Sequence, residues 1–283
     1  MSQGPLTDEQ FDQQYTQHST LCLLLRSNRL SYAVFDEDRQ RFTMQQSRYF
    51  IAAEQRGALL DEIKSAIAAE DALHLPYRSV KIGLGQSASV LVPAEFWVEE
   101  EAGAHLSLQV ETDPDDLILA DQISDLQTVV EYPLDLKLLE YLQGAFPEAS
   151  VFHADTALLT GLQAPASAGG RDVVFMHIHQ EAFLFVWYQN GQLQFFNRFE
   201  FRSREDFIYY VLLVAEELGL DRESARFVFL GEAVEGSAIH QIAQDYLRHV
   251  SFGERPANLQ YARSIREQPG QFNFNLFALQ LCH

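Results

Sequence analysis

Lysine is nearly missing from this chain: of 20 basic residues only Lys64, Lys81 and Lys137 are lysines, against 40 acids, for a formal net charge of −20. Such an excess repels a nucleic acid or an anionic membrane surface unless a basic patch opposes it, and no run of bases supplies one. Nucleic acid is therefore not expected as a partner. Long apolar runs are absent too. Runs such as Leu21 to Leu25 and Phe183 to Tyr188 are strand-sized, and none approaches the ~20 residues that span a bilayer. The stretch from Met1 to Asp12 has neither the basic start nor the apolar core of a secretory signal. Direct membrane insertion is not expected. Cysteine is scarce, with Cys22 and Cys282 in apolar surroundings at opposite ends. That usage fits buried free thiols in a reducing, cytoplasmic compartment.

What is present is core material. Hydrophobic residues make up 47% of 283, with 21 Phe and 11 Tyr, which excludes a disordered or fibrous chain. The length suits two domains of about 140 residues each.

Thr7-x-x-Gln10 reads as a capping box opening a short helix. Three strand-like runs follow, Thr20 to Leu25, Leu30 to Phe35 and Arg41 to Phe50, separated by Ser27-Asn28 and Asp36-Glu37-Asp38. Leu59, Leu60, Ile63, Ile67 and Leu73 recur at helical spacing over 54–73, and 79–84 reads as a strand. The second half repeats this order: strands at 173–178, 182–188 and 192–201, a helix opened by Ser203-x-x-Asp206, and a strand at 226–230. Asn190-Gly191 is a strong hairpin signal. Tyr32 and Phe183 lie 151 residues apart, as do Phe42 and Leu193, while Ser79 and Phe227 lie 148 apart. A near-constant offset of this kind suggests a duplication of a β-β-β-α-β unit. Between the repeats, 128–132 reads as a strand, 133–146 as a helix, 149–153 as a strand and 156–162 as a helix. The small-residue stretch Ala164 to Gly170 carries the best linker signal. The expected organisation is a first domain at 1–163, a linker at 164–171 and a second domain at 172–283.

This order of apolar motifs resembles an uncharacterised Bacteroidetes family of actin-like fold, itself reminiscent of actin-like pilus-assembly and type II secretion proteins. The resemblance covers nearly the whole chain. It is carried by Leu23-Leu24-Leu25 with Leu30-Ser31-Tyr32-Ala33-Val34, by Ser89-Val90-Leu91-Val92-Pro93-Ala94-Glu95-Phe96, and by Glu131-Tyr132-Pro133 with Leu138-Leu139-Glu140-Tyr141-Leu142. Ala145-Phe146-Pro147, His153 and Thr156-Ala157-Leu158-Leu159 complete it. The fold implied is α/β, with two actin-like (ribonuclease H-like) β-β-β-α-β-α domains facing an interdomain cleft. No established activity comes with it.

Active members of the actin-like superfamily hold nucleotide phosphates with an Asp-x-Gly turn after the first strand of each repeat. The resemblance places His177 in the Asp slot of the second repeat and His179 in the Gly slot. The 151-residue offset then gives Arg26 and Asn28 in the first. Neither turn keeps an acid or a glycine, and imidazole or guanidinium is a poor substitute for the oxygen ligands Mg²⁺ prefers. The Gly-Gly turn expected at the adenosine end reads Gly231-Glu232, which puts a negative charge where a polyanion should sit. Three degraded elements imply a non-catalytic binding or scaffolding protein with no cofactor, acting through an unidentified protein partner or as a homodimer. The alternative is an ATPase or small-molecule kinase of the same superfamily, using Asp155, Asp172 or Glu181.

His177 and His179, two apart on one strand, also have the spacing of a zinc pair with His153 or an acid as third ligand. Two histidines in an ordinary pocket are the plainer reading. Gly83 to Ser89 lacks the ending of a P-loop and the closing glycine of a nucleophile elbow, so it reads as a connection. Glu99-Glu100-Glu101 and 111–116 read as solvated acidic loops. The dense aromatics of 183–201 read as core, and Phe272, Phe274 and Phe277 as a tail docking onto the second domain.

Overall fold

The structure, a computed structural model, describes residues 6–7, 11–50, 56–110, 112–168, 170–180 and 182–283. Gln10, Glu54, Glu111 and Glu181 fall outside the described residues; Thr7, read as the opening of a short helix, lies in a strand, and a short 3-10 helix runs over Gln13–His18 behind Asp12.

The elements run β1 (Leu6–Thr7), β2 (Ser19–Arg26), β3 (Arg29–Asp36), β4 (Arg41–Tyr49), α1 (Arg56–Ala68), β5 (Ser79–Gly85), β6 (Val90–Pro93), β7 (Asp116–Ile123), β8 (Thr128–Asp135), α2 (Leu136–Ala145), β9 (Ser150–His153) and α3 (Ala154–Ala168). They continue as β10 (Asp172–His179), β11 (Ala182–Gln189), β12 (Gln192–Glu200), α4 (Arg204–Glu217), β13 (Arg226–Gly231), α5 (Ala238–Tyr246), β14 (His249–Phe252), β15 (Gln260–Tyr261), α6 (Arg263–Arg266) and α7 (Phe274–Ala278). By contact they divide into two compact units. One comprises Met1–Thr160, Asn258–Glu267 and Asn275–His283, the other Gly161–Ala257 and Gln268–Phe274.

The large sheet of the first unit has the order β1-β4-β3-β2-β5-β9, with β15 also on β4. Strands β2, β3 and β4 form an antiparallel meander, while β5 and β9 run parallel to β2. All eight residues of both β2 and β3 are buried. Burial on both faces explains why these strands read as continuous apolar runs and not as alternating ones. Helix α1 turns Ile63, Ala66 and Ile67 inward. Between β5 and β9 the chain makes a separate sheet of order β6-β8-β7 with its own core of Val90, Val92 and Leu106.

The sheet of the second unit has the order β12-β11-β10-β13-β14, again a meander followed by two parallel strands. Its core joins Phe183, Phe185 and Trp187 to Phe207, Phe227 and Phe229, so most of the aromatic density is interior. Helix α4 opens on the expected capping box, with Ser203 and Asp206 each accepting from the other's backbone. Helix α5 and strand β14 were not read from the sequence.

Three sequence readings are revised. Residues 133–135 extend β8, and the helix begins at Leu136 behind Asp135, whose carboxylate accepts from the Lys137 and Leu138 amides. Pro133 is tolerated in β8 because it pairs with Ile118 of β7 and lies beyond the reach of β6, whose pairing with β8 ends at Val90 opposite Glu131, so its missing donor breaks no bond on that side. The small-residue stretch is not an open linker: α3 continues through Ala164, Pro165 and Ala166 to Ala168, and the division between the units falls after Thr160. Alanine is the best helix former, so a stretch that is linker-like in composition extends the helix instead. Finally, the tail divides: Phe272 and Phe274 belong to the second unit, as read, but from Asn275 the chain belongs to the first. Phe277 packs edge-on against Phe42 and Tyr261, and Lys81 Nζ donates to the Gln280 and Cys282 carbonyls. Gly83 makes room for it, since a Cβ there would lie 3.1 Å from both Leu279 methyls.

Candidate functional site

The predicted site residues occupy the first hairpin of each repeat and, in the second unit, the end of the fourth strand, β13. In the second unit β10 and β11 pair as far as His179 with Ala182, and Ile178 of β10 lies beside Gly231 of β13. Gly231 is required there. Its φ is +72°, and a Cβ would stand 2.2 Å from the Ile178 carbonyl oxygen. This turn delivers Glu232 back to the hairpin: its amide donates to that carbonyl, its Oε2 accepts from the Gln180 amide at 3.2 Å, and its Oε1 lies 3.1 Å from His179 Nδ1. Gln180 itself has a positive φ of 52°. A left-handed residue of this kind turns backbone amides toward one point, a geometry that favours an anion, and here the anion is the protein's own carboxylate. His177 is buried between Leu184 and Leu230 in register, with Nε2 close to Gly231.

In the first unit β2 and β3 pair as far as Arg26 with Arg29. Judged by hairpin closure, Arg26 therefore stands where His179 stands, and Ser27 where Gln180 stands, a separation of 153 residues. The 151-residue spacing holds only for the third strands, where Tyr49 opposite Arg29 matches Glu200 opposite Ala182. Placing Arg26 with His177, and Asn28 with His179, is thus two residues out of register. The reason is the second hairpin, which joins Asp36 to Arg41 in one repeat but Gln189 to Gln192 in the other. Arg26 and Arg29 are both buried; Arg29 donates to the Tyr49 hydroxyl and lies over its ring, and the Asn28 carbonyl accepts from Phe50.

Behind Arg26 lies a polar cluster that the sequence did not reveal as a unit. Asp121, on β7, accepts from the His153 amide at 2.7 Å, the Thr156 hydroxyl at 2.6 Å and the Tyr132 hydroxyl at 3.1 Å. Burial pushes its carboxyl above the usual range, against the pull of those donors. Asp155 accepts from Ser89 Oγ at 2.8 Å and has an oxygen 3.4 Å from His153 Nδ1. Burial alone would raise this carboxyl too, but His153, Ser89 and Arg26 outweigh it and hold it at about 2. The His153 ring is pinned at both nitrogens, with Nδ1 receiving the Asp155 amide and Nε2 lying 3.1 Å from the Ser87 carbonyl. The order Ser89–Asp155–His153 puts the acid in the middle, so it cannot relay a proton from serine to imidazole as a catalytic triad does. The one available signal was Asp121 itself, an acid inside the apolar run Leu117 to Ile123.

Other candidates separate. Asp172 begins β10, at the opposite end from His179, and accepts from Trp187 Nε1 and Gln189 Nε2. Asp116, from the second acidic segment, pairs with Arg56. Among the described residues no three metal-ligating side chains gather, and no helix is long and apolar enough to cross a membrane. Cys22 and Cys282 are both buried and free, and burial pushes the Cys282 thiol up to about 12.

Comparison with known proteins bears out the architecture. A Bacteroides thetaiotaomicron protein of actin-like ATPase fold and unknown function superposes with a TM-score of 0.82 at 18% identity, covering 96% of this chain and 99% of its own. A chain of the PilM–PilN type IV pilus biogenesis complex superposes at 0.60 with 13% identity, covering 94% and 99%. At such identities the likeness establishes the fold alone, and this chain has the actin-like ATPase fold. No curated protein matches it in sequence. A family model matches residues 8–250, and the chain belongs to that family, the proteins of unknown function designated DUF3822.

Proposed function

We propose that this protein is a non-catalytic actin-like binding or scaffolding module whose nucleotide site is degenerate. The observation that carries the reading is Glu232, whose carboxylate already takes the Gln180 amide and lies against His179. A phosphate approaching that turn would meet a fixed negative charge in place of a free donor. In the first unit the equivalent turn is closed by buried Arg26 and Arg29, and the nearest carboxylates, Asp155 and Asp121, are engaged within the fold. The PilM–PilN complex contains a fold relative engaged with another protein, which supports docking as the way such a fold acts. The partner is then a protein, either a second copy of this chain or an unidentified one.

The alternative, an ATPase or small-molecule kinase, would need an accessible acid. Asp155 has a side chain only 13% exposed, and Asp172 stands at the wrong end of its strand. Calorimetric titration with Mg-ATP and Mg-ADP tests the proposal. No heat is expected at millimolar nucleotide. Saturable binding at or below ~100 μM, about −5.5 kcal/mol, followed by turnover that is lost in Asp155→Asn would establish the enzyme instead.

A further inference from the structure

The small sheet inserted between β5 and β9 has an open edge. In its order β6-β8-β7, strand β6 pairs on one side only, antiparallel to β8. The phase of that ladder follows from its end: the Ala94 amide donates to the Gln127 carbonyl, and Pro93, opposite Thr128, has no amide to give. Residues that exchange bonds alternate along an antiparallel pair, so Val90 and Val92 bond to β8 while Leu91 turns its N–H and C=O outward. Among the described residues no backbone bond from outside the sheet reaches Leu91.

An apolar groove of about 270 Å³ runs along this edge. All four residues of β6 line it, together with Phe96, His105 and Leu108. Phe96 is 64% exposed and Leu108 82%, which leaves two large apolar side chains bare beside an unpaired strand. The His105 ring adds an unmatched polar atom, since its Nδ1 is buried and has no hydrogen-bond partner among the described residues.

Charge selects the occupant. Between Lys81 and Lys137 the chain has twelve acids and no Lys or Arg. Arg56 answers Asp113 and Asp116 from outside that stretch. Glu95 adjoins Phe96, and the segment from Phe96 to His105 carries Glu99, Glu100 and Glu101; all four glutamates are exposed. A second copy of this chain would bring the same acids together, and an anionic lipid or a nucleic acid would be repelled. A small organic molecule would find less than the roughly 300 Å³ at which such sites begin. An extended peptide suits the three features at once: its main chain bonds Leu91, alternate apolar side chains enter the groove, and Lys or Arg meets the glutamates.

We infer that β6 accepts an added strand from a protein partner, an extended segment of alternating apolar residues flanked by Lys or Arg. The inference rests on the reading that this chain acts by docking to a protein, and not on the state of either nucleotide turn.

A phage-displayed library of random peptides of about 12 residues, long enough to span β6, would be selected on the full chain. Enriched peptides should share alternating apolar residues with Lys or Arg beside them, and a fluorescein-labelled synthetic copy should bind by anisotropy. Leu108→Asp puts a charge into the groove at an exposed position and should weaken that binding by about 10-fold or more. Leu91→Pro removes the outward amide and should do the same, whereas Leu91→Val keeps the amide and should change binding by less than about 3-fold. Combining Glu99→Gln, Glu100→Gln and Glu101→Gln should flatten the fall of affinity with salt. Thermal melts confirm that each variant folds, and Leu108→Asp carries the test alone if Leu91→Pro does not. Absence of any enriched peptide, or binding undiminished in Leu108→Asp or in a folded Leu91→Pro, overturns the inference. Undiminished binding leaves docking to a protein standing and moves it to another surface. Dimerisation of the free protein that Leu108→Asp abolishes gives the edge to a second copy and also overturns it. Failure of the docking reading itself shows separately, as nucleotide binding and turnover in the calorimetric titration.

Discussion

The two sheets close their fourth strands in the same way and for different reasons. Both β5 and β13 end on glycine: Gly85 lies opposite Arg26, the last residue of β2, and Gly231 opposite Ile178, the last but one of β10. In the second unit the glycine is a conformational necessity, and the residue after it folds a carboxylate onto the hairpin. In the first unit Gly85 has no left-handed φ; a Cβ there would meet the Ala154 Cβ at 3.1 Å and Arg26 Nη1 at 3.4 Å. The inserted sheet and β9 then supply Asp121, His153 and the neighbouring Asp155 behind it. One unit fills its turn with its own carboxylate, and the other ties its turn to a buried network. A shared topology has been made polar in two unrelated places.

The sharpest way to break this comparison is to add one methyl group to each glycine. Gly231→Ala combines a forbidden backbone region with a collision against a carbonyl of the neighbouring strand, which cannot move without breaking the ladder. A loss of about 4 kcal/mol or more is expected, enough to unfold the second unit. Gly85→Ala presses only on a methyl group and the flexible arm of Arg26, for a loss of about 1–2 kcal/mol. Urea unfolding of the two variants measures the difference. Equal losses would mean that the glycines do the same job and that the contrast between the turns is wrong.

A middle-sized effect separates the first unit by pH. The Asp155 carboxyl is held at about 2 against an ordinary 3.8. A carboxyl lowered by folding contributes stability above its unfolded value, and that contribution fades as pH falls toward the folded value. The difference corresponds to about 2 kcal/mol. The stability gap between the native protein and Asp155→Asn should therefore be constant above about pH 5 and shrink between about pH 4 and pH 2. Curves that stay parallel through this window would remove Asp155 as the centre of the network.

Most of the framework was legible because it rests on local chemistry. Doubly buried β2, β3, β10 and β11 are continuous apolar runs, Asn190-Gly191 turns a hairpin, and Ser203 with Asp206 caps a helix. The errors share a cause in tertiary context. Pro133 reads as a helix start until β6 is known to stop short of it, and Ala164 to Ala168 reads as a linker although alanine prefers helix. The tail's destination depends on Gly83 and Phe42, more than 190 residues away. At the site, the register between the two repeats was misread, because a hairpin two residues shorter leaves no local mark. Asp121 escaped for the same reason: its three donors come from β8, β9 and α3, and no spacing announces them.

The smallest expected effect bears most directly on function. The Glu232 side chain is 34% exposed, so solvent screens its interaction with His179. Glu232→Gly removes that contact and the bond to Gln180, for a loss under about 1 kcal/mol with the fold retained. If the site is degenerate in several places at once, removing this carboxylate will not restore nucleotide binding, because His177, His179 and the buried Arg26–Arg29 turn remain. Thermal melts with and without Mg-ATP should then coincide for the variant as for the native protein. A melting temperature that rises with Mg-ATP only in Glu232→Gly would show that one side chain had been closing a competent site. The second unit would then be a self-occupied phosphate turn, and the comparison between the two units would become one between a blocked site and a lost one.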